Sequence, residues 1–228
     1  MPPVGITFRR HAQKTIPSGR RITKRGRKAT RNLAEKIVKE NPGYKPKIFT
    51  STENRTIETA EILKRSTKTK YTLRENKGLR GHEYFAGERI KTTKKDNLLT
   101  FCKNTLVKAG IVNDPLLIKI WLNGHFPKKI IPKPEAMADL IIKDRFKLPK
   151  RVNRMTDRTI NFENITHDVV IAALFQRLSG VKYHKRFKEL PKELESLRID
   201  ITKEGKATMA FRDYKEDITK RLNAILSS

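Results

Sequence analysis

Three short polar clusters in the chain have the residue types that handle phosphoryl groups: Arg10-His11, Arg55 and His167-Asp168. A neutral imidazole can attack phosphorus and carry it as a covalent intermediate. Guanidinium groups bind phosphate oxygens through planar, bidentate hydrogen bonds. A carboxyl beside bound phosphate has its pKa raised by that negative charge, which lets it protonate a leaving group near neutral pH. The set suits phosphoryl transfer, provided the fold brings the clusters together.

The elements that would do so can be read around each cluster. "VGITFR" (4–9) alternates, with Val4, Ile6 and Phe8 on one face, and predicts a first strand ending at Arg10-His11. Thr23 is placed as an N-cap before Ala29, Leu33 and Ile37 at helical spacing, and Asn41-Pro42-Gly43 stops that helix. "KIFTS" (47–51) predicts a second strand, followed by a helix over 53–66 with Arg55 in its first turn. "KYTL" (70–73) predicts a third strand. "FENITHDVVIAALFQRLSG" (162–180) reads as a strand ending at His167-Asp168 and running into a helix that Gly180 terminates. A hairpin over 196–213, turning at Lys203-Glu204-Gly205, and a last helix to Leu226 complete the pattern. Alternating strands and helices imply an α/β sheet of mainly parallel strands. In such sheets ligands bind beyond the carboxyl ends of the strands, where helix N-termini add donors, and all three clusters fall at such ends.

The pattern loosens between Gly78 and Thr159. Helix-like pieces around 96–109 and 134–146 are separated by the turn-rich "NGHFPKKIIPKP". Residues 84–158 therefore read as an insertion or cap within one domain spanning 1–228.

Composition narrows the class. With 228 residues, 36% of them hydrophobic, the chain has material for one real core. No apolar run reaches the length of a membrane span: "PLLIKIWL" (115–122) is short and broken by Lys119. "MPPVGITF" is too short for a signal-peptide core, so a cytoplasmic protein with no membrane partner is expected. Cys102 is the single cysteine, which excludes an internal disulfide and a cysteine metal cluster, and it reads as a buried small hydrophobe. Fifty-two Lys and Arg against 24 Asp and Glu give a net charge of +28. Such a field attracts polyanions: nucleic acid, polyphosphate or phosphorylated small molecules. Residues 1–31 hold ten Lys or Arg and no acid, so the positive charge gathers around His11. Against a nucleic-acid module stand the absence of an RNA-binding or helix-turn-helix signature and an aromatic content of only 7%, which leaves few stacking platforms.

Taken in order, the motifs resemble those of the histidine phosphatase superfamily, the phosphoglycerate mutase-like proteins. "FRRHAQ" is similar to its strand-Arg-His-Gly signature, and "ITKRGRKA" keeps Thr23, Gly26 and Ala29 at the family spacing. "STENRTIETA" matches through Ser51, Arg55, Thr56, Thr59 and Ala60, and "ITHDVVIAALFQRL" matches the late strand ending in Thr-His. The resemblance implies a three-layer α/β/α sandwich with an inserted cap, and a phosphomonoesterase that needs no metal or cofactor. It implies His11 as the nucleophile, and Arg10, Arg55 and His167 as ligands of the phosphoryl oxygens. A phosphomutase shares the same first half-reaction. The general acid stays open. "LRENKGLRG" nominates Glu75, the late His-Asp pair nominates Asp168, and Glu83 is a third candidate; Glu75 is favoured. Bland readings stand beside these: Asp168 as the N-cap of a 169–179 helix, His167 as a capping or core histidine, and Arg55 as a surface arginine paired with Glu58 or Glu61. Ala12 replaces the family glycine after the histidine, which puts the local geometry in question.

Overall fold

The alternation of the first strand is realised over β1 (Val4–Arg10), in which Val4, Ile6 and Phe8 enter the main core. The computed structural model describes residues 3–14, 21–80, 114–125, 133–150 and 159–228. After β1 come α1 (Lys24–Glu40), β2 (Lys47–Thr50), α2 (Asn54–Ser66), β3 (Arg74–Glu75) and a 3-10 turn (Lys77–Arg80). Then follow α3 (Asp114–Leu122), α4 (Pro134–Lys150), β4 (Ile160–Thr166), α5 (Asp168–Ser179) and α6 (Tyr183–Arg186). The chain ends with β5 (Ser196–Ile201), β6 (Ala207–Phe211), β7 (Tyr214–Asp217) and α7 (Thr219–Ser227).

Seven strands form one sheet in the order β3-β2-β4-β1-β5-β6-β7. The pairs β2–β3, β2–β4 and β1–β4 are parallel, while β1–β5, β5–β6 and β6–β7 are antiparallel. Five strands thus run one way and β5 and β7 the other, so the sheet is mostly but not wholly parallel. Helices cover both faces. On one, α1 and α2 bury Ala34, Ala60 and Leu63 against Ile48 and Ile165. On the other, α3, α4, α5 and α7 join a much larger core with Val4, Ile6, Phe8, Phe162 and Phe211.

The sequence expectations meet this fold with two differences. The third strand is not at 70–73. Tyr71 is exposed, and pairing starts only where Arg74 and Glu75 come alongside Phe49 and Thr50. The hairpin does turn at 202–206, with Gly205 at φ +85°, but a further edge strand, β7, is added. "PLLIKIWL" lies in a helix, α3, that places Trp121 and Leu122 in the main core. Of the two helix-like pieces, 134–146 falls in α4, while 96–109 and Cys102 lie outside the described residues. Among the described residues no helix is long and apolar enough to cross a membrane.

Candidate active site

β1 and β4 are neighbours and parallel, in register from Val4–Ile160 to Arg10–Thr166, so their next residues, His11 and His167, leave the sheet side by side. Their rings meet edge to face, 5.3 Å between centroids, and both are buried. The His11 amide donates to Thr166 O at 3.0 Å, which extends the ladder by one step and fixes where the imidazole begins. His11 Nδ1 lies 2.7 Å from Ala12 O. A carbonyl can only accept, so Nδ1 carries the proton and Nε2 keeps its lone pair. Burial, with the positive charges of Arg55, Arg10 and Lys14, pushes His11 down to about 3, the bond to Ala12 O opposing only in part. The ring is therefore neutral near pH 7.

β2 lies on the other side of β4 and delivers Ser51 to the same end. Ser51 Oγ sits 3.2 Å from His167 Nε2 and 2.7 Å from Thr56 Oγ1. Arg55, in the first turn of α2, brings Nη2 to 3.5 Å from His167 Nδ1. A guanidinium only donates, so Nδ1 of His167 is the acceptor and Nε2–H points to Ser51. Glu58 takes Arg27 and the Ile22 amide, and Glu61 takes Arg65. His167 is the N-cap of α5 by backbone position, with no capping bond from its side chain, which turns to Ser51 instead.

Arg10 turns its guanidinium toward the start of α5. Nη2 is 3.1 Å from Asp168 Oδ2 and Nη1 donates to Pro191 O at 2.5 Å, while Nε is buried with no partner among the described residues. Asp168 is not the N-cap but the first residue of the helix, and its Oδ1 accepts the Val169 amide at 2.8 Å. Both carboxylate oxygens thus already face donors. Glu75 stands at the carboxyl end of β3 opposite Thr50, the residue before Ser51. Its side chain is exposed. Glu83 lies outside the described residues. Arg9, between these clusters, faces away from them and forms a buried pair with Glu163.

Ala12 fits for two reasons. Its φ is not positive, so no glycine is required. Room beside its methyl comes from Gly26 in α1, where a Cβ would sit 2.9 Å from Gln13 O and 3.4 Å from Ala12 Cβ. Thr23 caps α1 by accepting the Gly26 amide, and its own amide donates to Gln13 O, which ties the helix to the loop after His11. Thr59 completes the frame: its hydroxyl accepts the Ala12 amide and donates to Arg55 O. Pro191 and the 187–195 segment carry no motif, since they act through backbone carbonyls; Ser51 and Thr59 lie inside a motif, and their spacing was the available signal. Among the described residues no three His, Cys, Asp or Glu side chains gather as a metal site would need.

No protein-family model matches the sequence, and no curated protein matches it either. Solved structures do. Phosphoglycerate mutase from Bacillus anthracis str. Sterne superposes with a TM-score of 0.59 at 16% identity, covering 98% of this chain and 97% of that one. The fold is that of the phosphoglycerate mutase-like histidine phosphatases. Mycobacterial glucosyl-3-phosphoglycerate phosphatase, solved with VO3, gives 0.58 at 15% identity over 91% of this chain and 97% of that one. A mutant phosphoserine phosphatase from Entamoeba histolytica, solved with phosphoserine, gives 0.55 at 11% identity over 96% and 99%.

Proposed function

We propose that the protein is a phosphomonoesterase that works through a phosphohistidine on His11. The observation that carries this reading is a buried, uncharged His11, held by its Nδ1–H on Ala12 O, beside a second imidazole and two guanidinium groups. Nε2 of His11 attacks phosphorus as the bond to the leaving oxygen breaks, and Arg10, Arg55 and His167, whose Nε2–H turns from Ser51 to the phosphate, donate to the phosphoryl oxygens as charge shifts onto them. Glu75 supplies the proton to the leaving alkoxide. Asp168 is the poorer candidate because Arg10 and the Val169 amide already occupy its two carboxylate oxygens. Water then attacks the phosphohistidine, the P–N pair returns to Nε2, and Glu75 takes the water proton.

The substrate class is a phosphomonoester with negative charge beyond the reacting group. Lys24, Arg25, Lys28 and Arg31 are exposed over the first turns of α1, and none has a carboxylate partner among the described residues. These cations face the unfavourable end of the helix dipole next to the His11 loop, a placement that an anionic substrate would offset.

The test is hydrolysis of p-nitrophenyl phosphate without added metal, together with acid-labile labelling of the protein. His11→Ala should lose both, on the order of a thousandfold or more in rate. Hydrolysis that survives His11→Ala, or a wild-type protein that neither hydrolyses nor is labelled, defeats the reading. Labelling with transfer to an acceptor in place of phosphate release would identify a mutase. Polyanion binding without hydrolysis or labelling would identify a binding protein.

A further inference from the structure

The segment between α6 and β5, residues 187–195, has no place in the phosphatase-like motifs, yet it holds Arg10 from two sides. Arg10 N donates to Glu195 O at 2.9 Å, and Arg10 Nη1 donates to Pro191 O. A carbonyl orients a guanidinium only if the carbonyl itself is fixed, so the question becomes what fixes this segment. Arg212, in the turn between β6 and β7, answers it. Its Nη1 donates to Glu189 O at 3.2 Å, its Nη2 to Leu190 O at 3.1 Å and to Glu195 Oε2 at 2.8 Å. Glu195 in turn accepts the Lys192 amide, and its own amide donates to Lys192 O, closing a tight loop around Pro191. Burial alone would raise the Glu195 carboxyl, but Arg212 and the Lys192 amide hold it below its ordinary range. Leu194 and Arg212 both have left-handed backbones, φ 62° and 53°. Such conformations are costly for residues other than glycine and persist where surrounding contacts over-determine them.

We infer that Arg212 and Glu195 are positioning residues that set the Arg10 guanidinium for the phosphoryl group. This rests on the reading of Arg10 as a phosphate ligand. Pro191 O takes an N–H of Nη1 and Asp168 one of Nη2, and the second N–H of each is left for phosphate. Loosening the clamp lets Arg10 swing, and the loss falls on phosphate binding. Arg212 also covers the rings of Phe187 and Phe211, 5.0 and 5.1 Å from their centroids, so Arg212→Ala removes packing as well as positioning. Glu195→Gln keeps that packing and removes only the charge from the clamp.

A double-mutant cycle separates the two roles. Affinity for inorganic phosphate, measured by titration calorimetry, should fall about tenfold in Arg212→Ala and about threefold in Glu195→Gln when Arg10 is present. In an Arg10→Ala background each should then change affinity by less than about twofold. The drop in melting temperature from Arg212→Ala should persist in both backgrounds. The inference is overturned if Arg10→Ala leaves phosphate affinity unchanged, if the wild-type protein binds no phosphate, or if the two clamp variants weaken binding equally with and without Arg10. Because the readout is binding, a protein that binds phosphate but hydrolyses nothing would refute the phosphatase reading and leave this cycle interpretable.

Discussion

The parallel strands β3, β2, β4 and β1 and the antiparallel strands β5, β6 and β7 share one sheet, and their ends are filled in different ways. Each parallel strand needs a crossover, so its carboxyl end opens into a loop or helix start, and several such ends collect at one edge. That edge holds His11, Ser51, Arg55 and His167, polar groups in mutual contact. The antiparallel strands turn back within a few residues and have no such openings. Their side is packed with rings: Phe175 of α5 meets Tyr183, Phe187, Phe211 and Tyr214 with centroids 5.0 to 5.8 Å apart. Their cations are mostly neutralised, as in Arg212–Glu195, Arg198–Asp200 and Arg221–Glu216. One half gathers polar groups and the other packs rings, and α5 joins them, since it starts beside His167 and carries Phe175 in its later part.

The sharpest way to break this division is to remove the central ring. Phe175 is fully buried, and Phe175→Ala should cost about 3–5 kcal/mol in denaturant unfolding. Phosphate affinity of the protein that remains folded should stay within about twofold of wild type. A loss of affinity as large as that of Arg10→Ala would mean that the ring packing itself holds the Arg10 clamp in place.

A smaller effect probes the other half through pH. The folded pKa of His11, about 3, lies below the ordinary value of 6.5. Above 6.5 both states are neutral at this residue and the folded state has its full stability. As pH falls from 6.5 toward 3 the unfolded chain takes up a proton that the folded protein does not, so stability drops, by about 3 kcal/mol between pH 7 and pH 4. His11→Asn, which cannot titrate, should lose correspondingly less over that interval in parallel urea titrations. Identical slopes would place His11 in a wetter setting than its burial implies.

Much of the polar edge was readable because its residues sit where strand and helix patterns change. Thr23, Gly26 and Thr59 were visible as spacing, and the structure gives them physical work in capping α1, admitting it close to Gln13 and holding the Ala12 amide. What could not be read acts through the backbone or across long separations. Pro191 O reaches Arg10 without any side chain of its own, and Arg212 has no helical or strand periodicity to betray it. The buried Arg9–Glu163 pair spans 154 positions, and Tyr44, which donates to Glu163, lies 119 positions from it, in a chain rich in charge, so neither contact was legible. β7 reads "YKED", a polar edge strand without an apolar face, and β3 is two residues long, so neither leaves a period-two signature. The run "PLLIKIWL" is apolar all round, which leaves helix and strand undistinguished until packing decides.

The smallest effect sharpens the comparison at its surface, at the exposed α1 cations that have no carboxylate partner among the described residues. If Arg25 and Lys28 are placed for substrate at the expense of the α1 dipole, neutralising them should help the fold and hurt the function. Arg25→Gln with Lys28→Gln should raise stability by about 0.3–1 kcal/mol, since two charges leave the positive end of the helix. The same variant should lose severalfold in kcat/KM for a bisphosphorylated substrate and less than about twofold for p-nitrophenyl phosphate, and the gap should close in about 0.5 M salt as the Debye length shrinks. Matching substitutions at Lys215 and Lys220, on the antiparallel side, should leave both substrates alike. Equal losses on the two substrates would place the α1 cations in general attraction of anions and remove them from selection of a substrate with a second charge.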